Sequence, residues 1–273
     1  MQSFLIWIGN KRRILPAIIE HLPTTINNYY EPFLGSGEVF FGLAAEKLID
    51  TSKSVLSDTQ IGIYATMEAV RSKLPLTIQL LTEHELNHSK EYFNDLKVKV
   101  FSTIPEVAAQ FIYLSRAGFS GIYRENSNSL YNVTMRKNEQ PRWAERVYMY
   151  GASGYLSRAK VLCRDFRVIL DEDNGWQKDD FIYCDPPYHS WFEKKERSVY
   201  NHRVFNLNDQ IHLLAMLRRL DKRGVKWMIS NSMSTETLLL YKDYNIKKIP
   251  ITYKVTQQQK KGNKTEELIV TNY

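Results

Sequence analysis

Apolar and polar positions alternate in short blocks at both ends of the chain, and these blocks predict strands that are followed by helices. The segment YYEPF, residues 29–33, predicts a short strand, and LGSGEVFFGLAAEKL after it indicates a glycine-containing turn that opens a helix. KSVLSD predicts a second strand that ends on Asp58. A strand, a glycine turn, a helix and a strand with an acidic end are typical of the first half of a Rossmann-like unit.

The same pattern returns in the last third of the chain. RVIL precedes the polar stretch DEDNGWQKDD, and FIYCD after it predicts another strand. NDQIHLLAMLRRLDKRG has apolar residues at helical spacing and closes on Gly224 behind basic residues, as helix ends often do. KWMIS then predicts a strand, and IPITYKV and ELIVTNY predict a terminal antiparallel hairpin. We therefore expect an α/β fold with a Rossmann-like sheet and a C-terminal antiparallel hairpin.

About a hundred residues in the middle follow a different pattern. IYATMEAVRSKL and EVAAQFIYLSRA predict helices, and the polar, glycine-bearing FSGIYRENSNSLYNV resembles a hairpin. We interpret residues 61–160 as an inserted domain that is mainly helical and carries a β-hairpin. Residues 1–60 and 161–273 would then form the α/β domain around it.

Composition narrows the class of partner and excludes some kinds of site. The chain has 273 residues and a formal net charge of +7, which favours an anionic partner such as nucleic acid, although a basic enzyme without such a partner has the same charge. Cys163 and Cys184 are too few for a disulfide scaffold or a four-cysteine zinc site. No apolar run has the length of a membrane span, so we expect a cytoplasmic protein without a membrane partner.

The motif DPPY, which ends the predicted strand FIYCD, provides the clearest chemical signal. Pro186 and Pro187 lack a backbone donor and fix their own φ, so the Pro186 carbonyl is held beside the Asp185 carboxylate. Two adjacent acceptors suit an exocyclic amino group, which has two N–H donors. Tyr188 adds a flat face on which a planar base can stack. The alternative is a strand-ending turn with a surface tyrosine.

A second candidate site lies at the first glycine turn. Gly35 and Gly37 of FLGSG allow a tight turn and a close approach of a ligand to the backbone. Asp58 follows about 20 residues later at the end of a strand, where its carboxylate can accept both hydroxyls of a ribose. An ordinary strand-to-helix turn and a solvated aspartate fit the same residues.

Together these motifs resemble the Dam-type adenine-N6 DNA methyltransferases, and the resemblance runs nearly end to end. FLIWIGNKRR resembles the W-x-G-G-K segment with Asn10 in place of the second glycine, and YYEPFLGSGEVFF resembles E-P-F-x-G-x-G. SVLSDTQ resembles a strand ending in D-x-N, with Gln60 in place of asparagine. CRDF resembles the segment that lines the cofactor adenine, FIYCDPPY matches the catalytic motif in full, and KWMISNS and EELIVTNY resemble the late strands.

The resemblance implies S-adenosylmethionine as the cofactor, no metal, and direct methyl transfer to N6 of an adenine that is flipped out of double-stranded DNA. It also implies a set of site residues. The cofactor would contact Trp7 and Lys11 through its methionine part, Phe33, Gly35 and Gly37 as walls, Asp58 through its ribose, and Asp165 and Phe166 through its adenine. Asp185, Pro186, Pro187 and Tyr188 would form the catalytic motif, with Asp185 between cofactor and substrate.

The segment RAGFSGIYRENSNSLYNVTMRKNEQPRW resembles the recognition hairpin of the same family. The resemblance implies that Phe119 and Ser120 wedge into the duplex and that Arg124 reads a guanine through O6 and N7. The other DNA contacts that it implies are at Arg116, Asn126, Asn132 and Arg136. The family often continues with N-V-P-F-G where this chain has NVTMR, so GATC is the leading hypothesis for the target and other adenine sites stay open.

Two other interpretations remain. An enzyme that methylates a different amino group, in RNA, in glutamine or at cytosine N4, would share the motif, but the aspartate at 185 and the long insert favour adenine in DNA. A catalytically silent DNA-binding relative would keep the fold, but Lys11, Asp58 and DPPY are intact. The basic and aromatic stretch at 189–205 suits either DNA contact or a solvated loop. We expect a bacterial or phage protein that acts as a monomer or weak dimer on DNA.

Overall fold

The computed structural model describes residues 3–121, 123–124, 131–136, 146–187, 205–252 and 264–273. Within these residues the strands are β1 (Tyr29–Glu31), β2 (Ser54–Ser57), β3 (Lys160–Leu162), β4 (Phe181–Cys184), β5 (Lys226–Ser232), β6 (Asn245–Thr252) and β7 (Lys264–Thr271). The helices are α1 (Leu15–Glu20), α2 (Glu38–Ala45), α3 (Ile61–Ser72), α4 (Leu74–Leu86), α5 (Lys90–Leu96), α6 (Ile104–Ala117), α7 (Arg146–Leu156), α8 (Phe166–Ile169), α9 (Leu207–Asp221) and α10 (Thr235–Leu240).

The strands form one sheet in the order β3-β2-β1-β4-β5-β7-β6. The first five are parallel to one another, and β7 runs antiparallel between β5 and β6. The strand order reverses between β1 and β4, and open α/β sheets bind their ligands in the crevice at such a reversal. The prediction of a Rossmann-like sheet with a C-terminal antiparallel hairpin is confirmed.

Strand β4 is covered on both faces, as expected for a central parallel strand. Phe181 and Tyr183 point into one core cluster, whereas Ile182 and Cys184 point into the other. All four side chains are fully buried. Alternation along β4 therefore continues to Asp185, which lies on the Tyr183 face where the strand ends.

Helices α3 to α7 lie between β2 and β3 in the chain and include both helices predicted for the insert. Helices α3 and α6 approach each other closely at Gly62, where an added Cβ would lie 2.0 Å from Cδ2 of Phe111. Phe111 also belongs to the same core cluster as Phe41 of helix α2. The helical segment thus shares a core with the sheet domain, and the proposed boundaries of the insert stay a prediction.

The RVIL stretch lies in a short helix rather than in a strand. Helix α8 begins at Phe166, and Asp165 caps it by accepting a hydrogen bond from the backbone N–H of Arg167 at 2.9 Å. A short apolar run cannot be assigned by periodicity alone, and an aspartate immediately before such a run is a common helix start.

A buried histidine in α4 predicts a loss of stability in acid. Nδ1 of His84 lies 2.6 Å from the hydroxyl of Tyr92, and burial lowers the pKa of His84 to about 4. The unfolded chain, with a histidine pKa of about 6.5, binds more protons between these two values. We therefore expect the free energy of unfolding to fall by up to about 3 kcal/mol as the pH is lowered from about 6.5 to about 4.

Urea unfolding of His84→Gln at several pH values measures this contribution. The variant cannot titrate at this position, so its stability should depend less steeply on pH between 7 and 4.5 than that of the wild type. His212→Gln is a matched control because His212 is exposed. Equal pH dependence in the wild type and His84→Gln would contradict the assignment.

Candidate active site

Three carboxylic acids lie at the carboxyl ends of neighbouring strands and on one face of the sheet. Glu31 ends β1 and pairs with Leu56, so Asp58, two residues after Leu56, shares its face. Asp185 follows β4, two residues after Tyr183, which neighbours Glu31 across the β1–β4 pair. The charges of both Asp185 and Asp58 act on Glu31. The acids therefore form an acidic layer at the point where the strand order reverses.

Asp185 is held by side chains from two distant parts of the sequence. Its Oδ2 lies 2.7 Å from Nζ of Lys11, and its Oδ1 accepts a hydrogen bond from the Ser230 hydroxyl at 2.8 Å. Lys11 is only 5% exposed and also donates to the carbonyl of Gly9 at 2.7 Å, whereas Asp185 remains 20% exposed. The carboxylate thus faces the crevice with its orientation fixed at both oxygens. The next two residues of the DPPY motif are Pro186, which is buried, and Pro187, which is half-buried.

The side chain of Asp58, which follows β2, is hydrogen-bonded to the backbone of the glycine turn. Its Oδ2 accepts the backbone N–H of Gly35 and its Oδ1 accepts that of Gln60, each at 2.9 Å. Burial raises the pKa of Asp58 to about 6, and the hydrogen bonds to Gln60 and Gly35 oppose this effect. The backbone N–H of Thr59 also donates to this carboxylate, which leaves about one of its four lone-pair positions for a ligand.

The glycines of the turn are required by backbone geometry and by close packing. Gly35 and Gly37 have φ of +51° and +71°, in the left-handed region. A Cβ on Gly35 would lie 3.2 Å from Cδ1 of Trp7, and one on Gly37 would lie 2.9 Å from Cε2 of Phe41. The indole of Trp7 therefore covers the turn, and it also lies 6.4 Å, centroid to centroid, from the ring of Tyr123.

An aromatic cluster lies at the carboxyl ends of the strands, on the face of the sheet opposite the acidic layer. The rings of Phe33 and Phe166 lie 5.4 Å apart, and Phe205 contacts both of them. Asp165 accepts hydrogen bonds from the side chain of Arg167 as well as from its backbone, so its carboxylate is already paired. The structure thus brings together the two phenylalanines predicted from the resemblance. Phe205 is an addition that no motif indicated.

Glu31 was also missed by the sequence analysis, although it stands inside the quoted E-P-F motif. It is buried and accepts a hydrogen bond from the hydroxyl of Tyr29 at 2.6 Å. Burial raises the pKa of Glu31 to about 8; the nearby Asp185 adds to this rise, and the Tyr29 bond opposes it. Glu31 is therefore largely protonated at neutral pH in the absence of ligands. An acidic residue at the end of a strand beside a proline was the available signal.

The recognition segment is described on both sides of its central part. Phe119 is 56% exposed, and Arg124 is exposed with its Nε bonded to Oδ1 of Asn132 at 2.8 Å. The backbone N–H of Asn132 donates in turn to the carbonyl of Arg124 at 2.9 Å. Arg136 donates its backbone N–H to the carbonyl of Ala117, which joins the segment at 131–136 to the end of helix α6. Phe119 and Arg124 are thus presented on the surface.

Arg116 lies in a different environment from the exposed Phe119 and Arg124. It is half-buried, and its guanidinium donates to the backbone carbonyl of Phe4. In this position Arg116 ties the end of helix α6 to the N-terminal segment. Tyr188, Asn126, the side chain of Ser120 and residues 189–204 of the basic loop lie outside the described residues, so their predicted roles stay predictions.

In the part of the chain that the structure describes, no group of three or more histidine, cysteine, aspartate or glutamate side chains is placed to hold a metal ion. None of the described helices combines the length and the hydropathy needed to cross a membrane.

The sheet order, the antiparallel strand β7 next to β5 and the DPPY motif at the reversal of strand order define the class of the protein as a methyltransferase. Residues 7–255 match the family of D12 class N6 adenine-specific DNA methyltransferases. The chain therefore belongs to this family, and the prediction of an adenine-N6 DNA methyltransferase is confirmed.

Three curated relatives match over almost their whole length. The Type II methyltransferase M1.LlaDCHI of Lactococcus lactis subsp. cremoris is 34% identical, and the match covers 100% of this chain and 96% of the relative. The Type II methyltransferase M.MjaIII of Methanocaldococcus jannaschii is 30% identical, with 100% and 99% covered. A DNA adenine methylase of Vibrio cholerae is 27% identical, with 98% and 95% covered.

Proposed function

We propose that the chain transfers a methyl group from S-adenosylmethionine to N6 of an adenine that is flipped out of double-stranded DNA into the crevice beside Asp185. The observation that carries the proposal is the Asp185 carboxylate, which lies where the strand order reverses and is oriented by Lys11 and Ser230. Flipping is required because a base inside a duplex cannot reach such a crevice. The protein would act as a monomer or weak dimer on DNA.

The residues around the crevice fit the cofactor. Asp58 keeps acceptor capacity for the ribose hydroxyls, and Phe33 and Phe166 offer aromatic surface for the adenine, with Phe205 beside them. The carboxylate of Asp185 suits a cationic sulfonium, since opposite charges attract strongly in partly buried sites. When bound, S-adenosylmethionine supplies an electrophilic methyl group. Lys11 would contact its carboxylate, as the resemblance implies.

Asp185 and the Pro186 carbonyl would then act on the target amino group. The N6 lone pair of adenine is delocalised into the ring, which makes N6 a poor nucleophile. Two hydrogen bonds from N6–H to these acceptors localise the lone pair and aim it at the methyl group. N6 would gain the methyl group as the bond from that group to the sulfonium sulfur breaks, which leaves a neutral thioether. Positive charge develops on N6 meanwhile, the fixed Asp185 carboxylate stabilises it, and N6 then releases one of its protons to solvent. Tyr188 would stack on the flipped base.

GATC is our hypothesis for the target, and it is supported by the resemblance of the hairpin around Phe119 and Arg124. The test is to sequence DNA from cells that express the protein, with detection of N6-methyladenine in context. N6-methyladenine confined to GATC would support both the chemistry and the target. Methylation of adenine in another context would reject only the target, and an absence of N6-methyladenine would reject the proposed activity.

Arg124→Ala should relax or change the sequence context of methylation, because a bidentate arginine–guanine contact contributes about 1–3 kcal/mol of discrimination. The corresponding loss of preference at one base pair is about 5- to 150-fold, measured as kcat/KM on duplexes that differ at that position. Arg219→Ala, which removes an exposed arginine of helix α9, controls for the lost charge. Unchanged preference in Arg124→Ala would reject the assigned role.

A further inference from the structure

A chain of buried hydroxyl groups extends from the crevice into the core. The hydroxyl of Ser230 donates to Oδ1 of Asp185 at 2.8 Å, and the hydroxyl of Tyr183 lies 2.8 Å from Oγ of Ser230. Ser230 and Tyr183 are both completely buried, and each sits within a strand of the central sheet. Buried hydroxyl groups need partners, and here their chain of partners ends on the catalytic carboxylate.

The strand register explains why these three groups meet. Cys184 of β4 pairs with Ile229 of β5, so the next position places Asp185 beside Ser230. Tyr183 pairs with Met228 and is therefore the diagonal neighbour of Ser230 on the same face, within reach of a long side chain. The contact is thus a consequence of the sheet itself rather than of a loop conformation.

The direction of the hydrogen bonds follows from the chemistry of the groups. An ionised carboxylate only accepts, so Ser230 must use its one hydrogen on Asp185. Tyr183 must then donate to Ser230. Burial raises the pKa of Tyr183 well above its usual value, with a further contribution from Asp185, so the phenol keeps its proton at working pH. Hydrogen bonds aligned in this way strengthen one another.

We propose that Ser230 and Tyr183 are positioning residues for methyl transfer, which act by fixing Oδ1 of Asp185 for the incoming amino group. Ser230 engages one lone pair of Oδ1 and Lys11 engages one of Oδ2, which fixes the plane of the carboxylate. Because a carboxylate oxygen has two lone pairs, a hydrogen bond from Ser230 does not by itself prevent Oδ1 from accepting an incoming N–H. Tyr183 orients the Ser230 hydroxyl through the hydrogen bond between the two side chains. This inference rests on the proposed role of Asp185.

The expected effects follow from the loss of one hydrogen bond to a charged group. Ser230→Ala should slow methyl transfer about 10- to 100-fold in single turnover, and Tyr183→Phe should slow it about 3- to 10-fold. The KM values for DNA and cofactor should stay within about twofold, because both variants change the orientation of Asp185 and not the binding surfaces. The acidic limb of the pH–rate profile should move to higher pH, since a carboxylate that loses a donor binds a proton more readily.

The decisive experiment is a double-variant cycle with matched controls. If Tyr183 acts through Ser230, Tyr183→Phe should have no further effect on the rate in the Ser230→Ala background. Ser54→Ala and Tyr241→Phe each remove another buried hydroxyl group that is hydrogen-bonded elsewhere, and both should leave the rate unchanged. Wild-type activity and its loss in Asp185→Asn test the proposed function separately.

The results separate positioning from a general structural role. A single-turnover rate for folded Ser230→Ala within twofold of the wild type would overturn the inference. Additive effects of the two substitutions would also overturn it, as would an equal slowing by Tyr241→Phe and Tyr183→Phe. If Ser230→Ala does not fold, the comparison of Tyr183→Phe with Tyr241→Phe tests the inference. The inference requires that Tyr183→Phe slows the reaction more than Tyr241→Phe does.

Discussion

Asp185→Ala should reduce methyl transfer by at least about 10³-fold, while the protein keeps its fold and its affinity for duplex DNA. The substitution removes an acceptor for N6–H and the negative charge that stabilises the charge developing on N6. Single-turnover assays with a duplex that contains the target adenine measure the loss. A gel-shift titration with the same duplex measures DNA affinity, which should change by less than about threefold because the recognition surface lies elsewhere.

The control for this prediction is Asp185→Asn, which keeps the shape of the side chain but removes its charge. Its amide oxygen can still accept one hydrogen bond, so its activity should lie between that of Asp185→Ala and that of the wild type. Lys11 loses its ionic partner in both variants, and circular dichroism and urea unfolding check that the fold survives. Methylation by Asp185→Ala at a rate near that of the wild type would rule out the mechanism.

Much of the fold and the centre of the site could be predicted from local patterns. The strands before Asp58 and Asp185 could be predicted because buried parallel strands are short, apolar and followed by polar groups. The turn at FLGSG could be predicted from its glycines, because its backbone conformation excludes most other residues. In each case the signal lies within a few residues of the feature that it predicts.

The partners of these residues were not predictable, because they come from remote parts of the chain. Nothing near Ser230 in the sequence indicates that it will lie opposite Asp185, since this depends on the register between β4 and β5. Arg116 was assigned to DNA from its position in a motif, yet its guanidinium holds the carbonyl of Phe4. Phe205 joins Phe33 only through tertiary packing.

The N-terminal segment joins the FLGSG turn to the end of helix α6, which the sequence alone did not suggest. Ser3 donates to the carbonyl of Ser36 at 2.7 Å, and Trp7 covers Gly35. On the other side, Phe4 accepts from Arg116. These contacts of the N-terminal segment fix the distance between the crevice and the end of helix α6. At the far end of this segment stands Lys11, which reaches Asp185 itself.

Lys11→Met should therefore damage both stability and chemistry. Lys11 is buried and paired with Asp185, and removal of one partner of a buried pair leaves an uncompensated charge that costs about 3 kcal/mol. The residual exposure of Asp185 reduces this cost, so the loss measured by urea unfolding should be about 2–3 kcal/mol. The single-turnover rate at saturating cofactor should fall at least about tenfold, because the carboxylate loses one of the groups that orient it.

Two further variants distinguish the ion pair from a role confined to the cofactor. Arg12→Met removes an exposed positive charge from the adjacent position and should alter neither stability nor rate. Lys11→Met combined with Asp185→Asn removes both charges, so the double variant should be more stable than Lys11→Met, although it should methylate no faster. If Lys11 served only the cofactor carboxylate, Lys11→Met would weaken cofactor binding in calorimetry but keep the wild-type rate at saturation. A rate loss that persists at saturating cofactor instead requires that Lys11 also acts on Asp185.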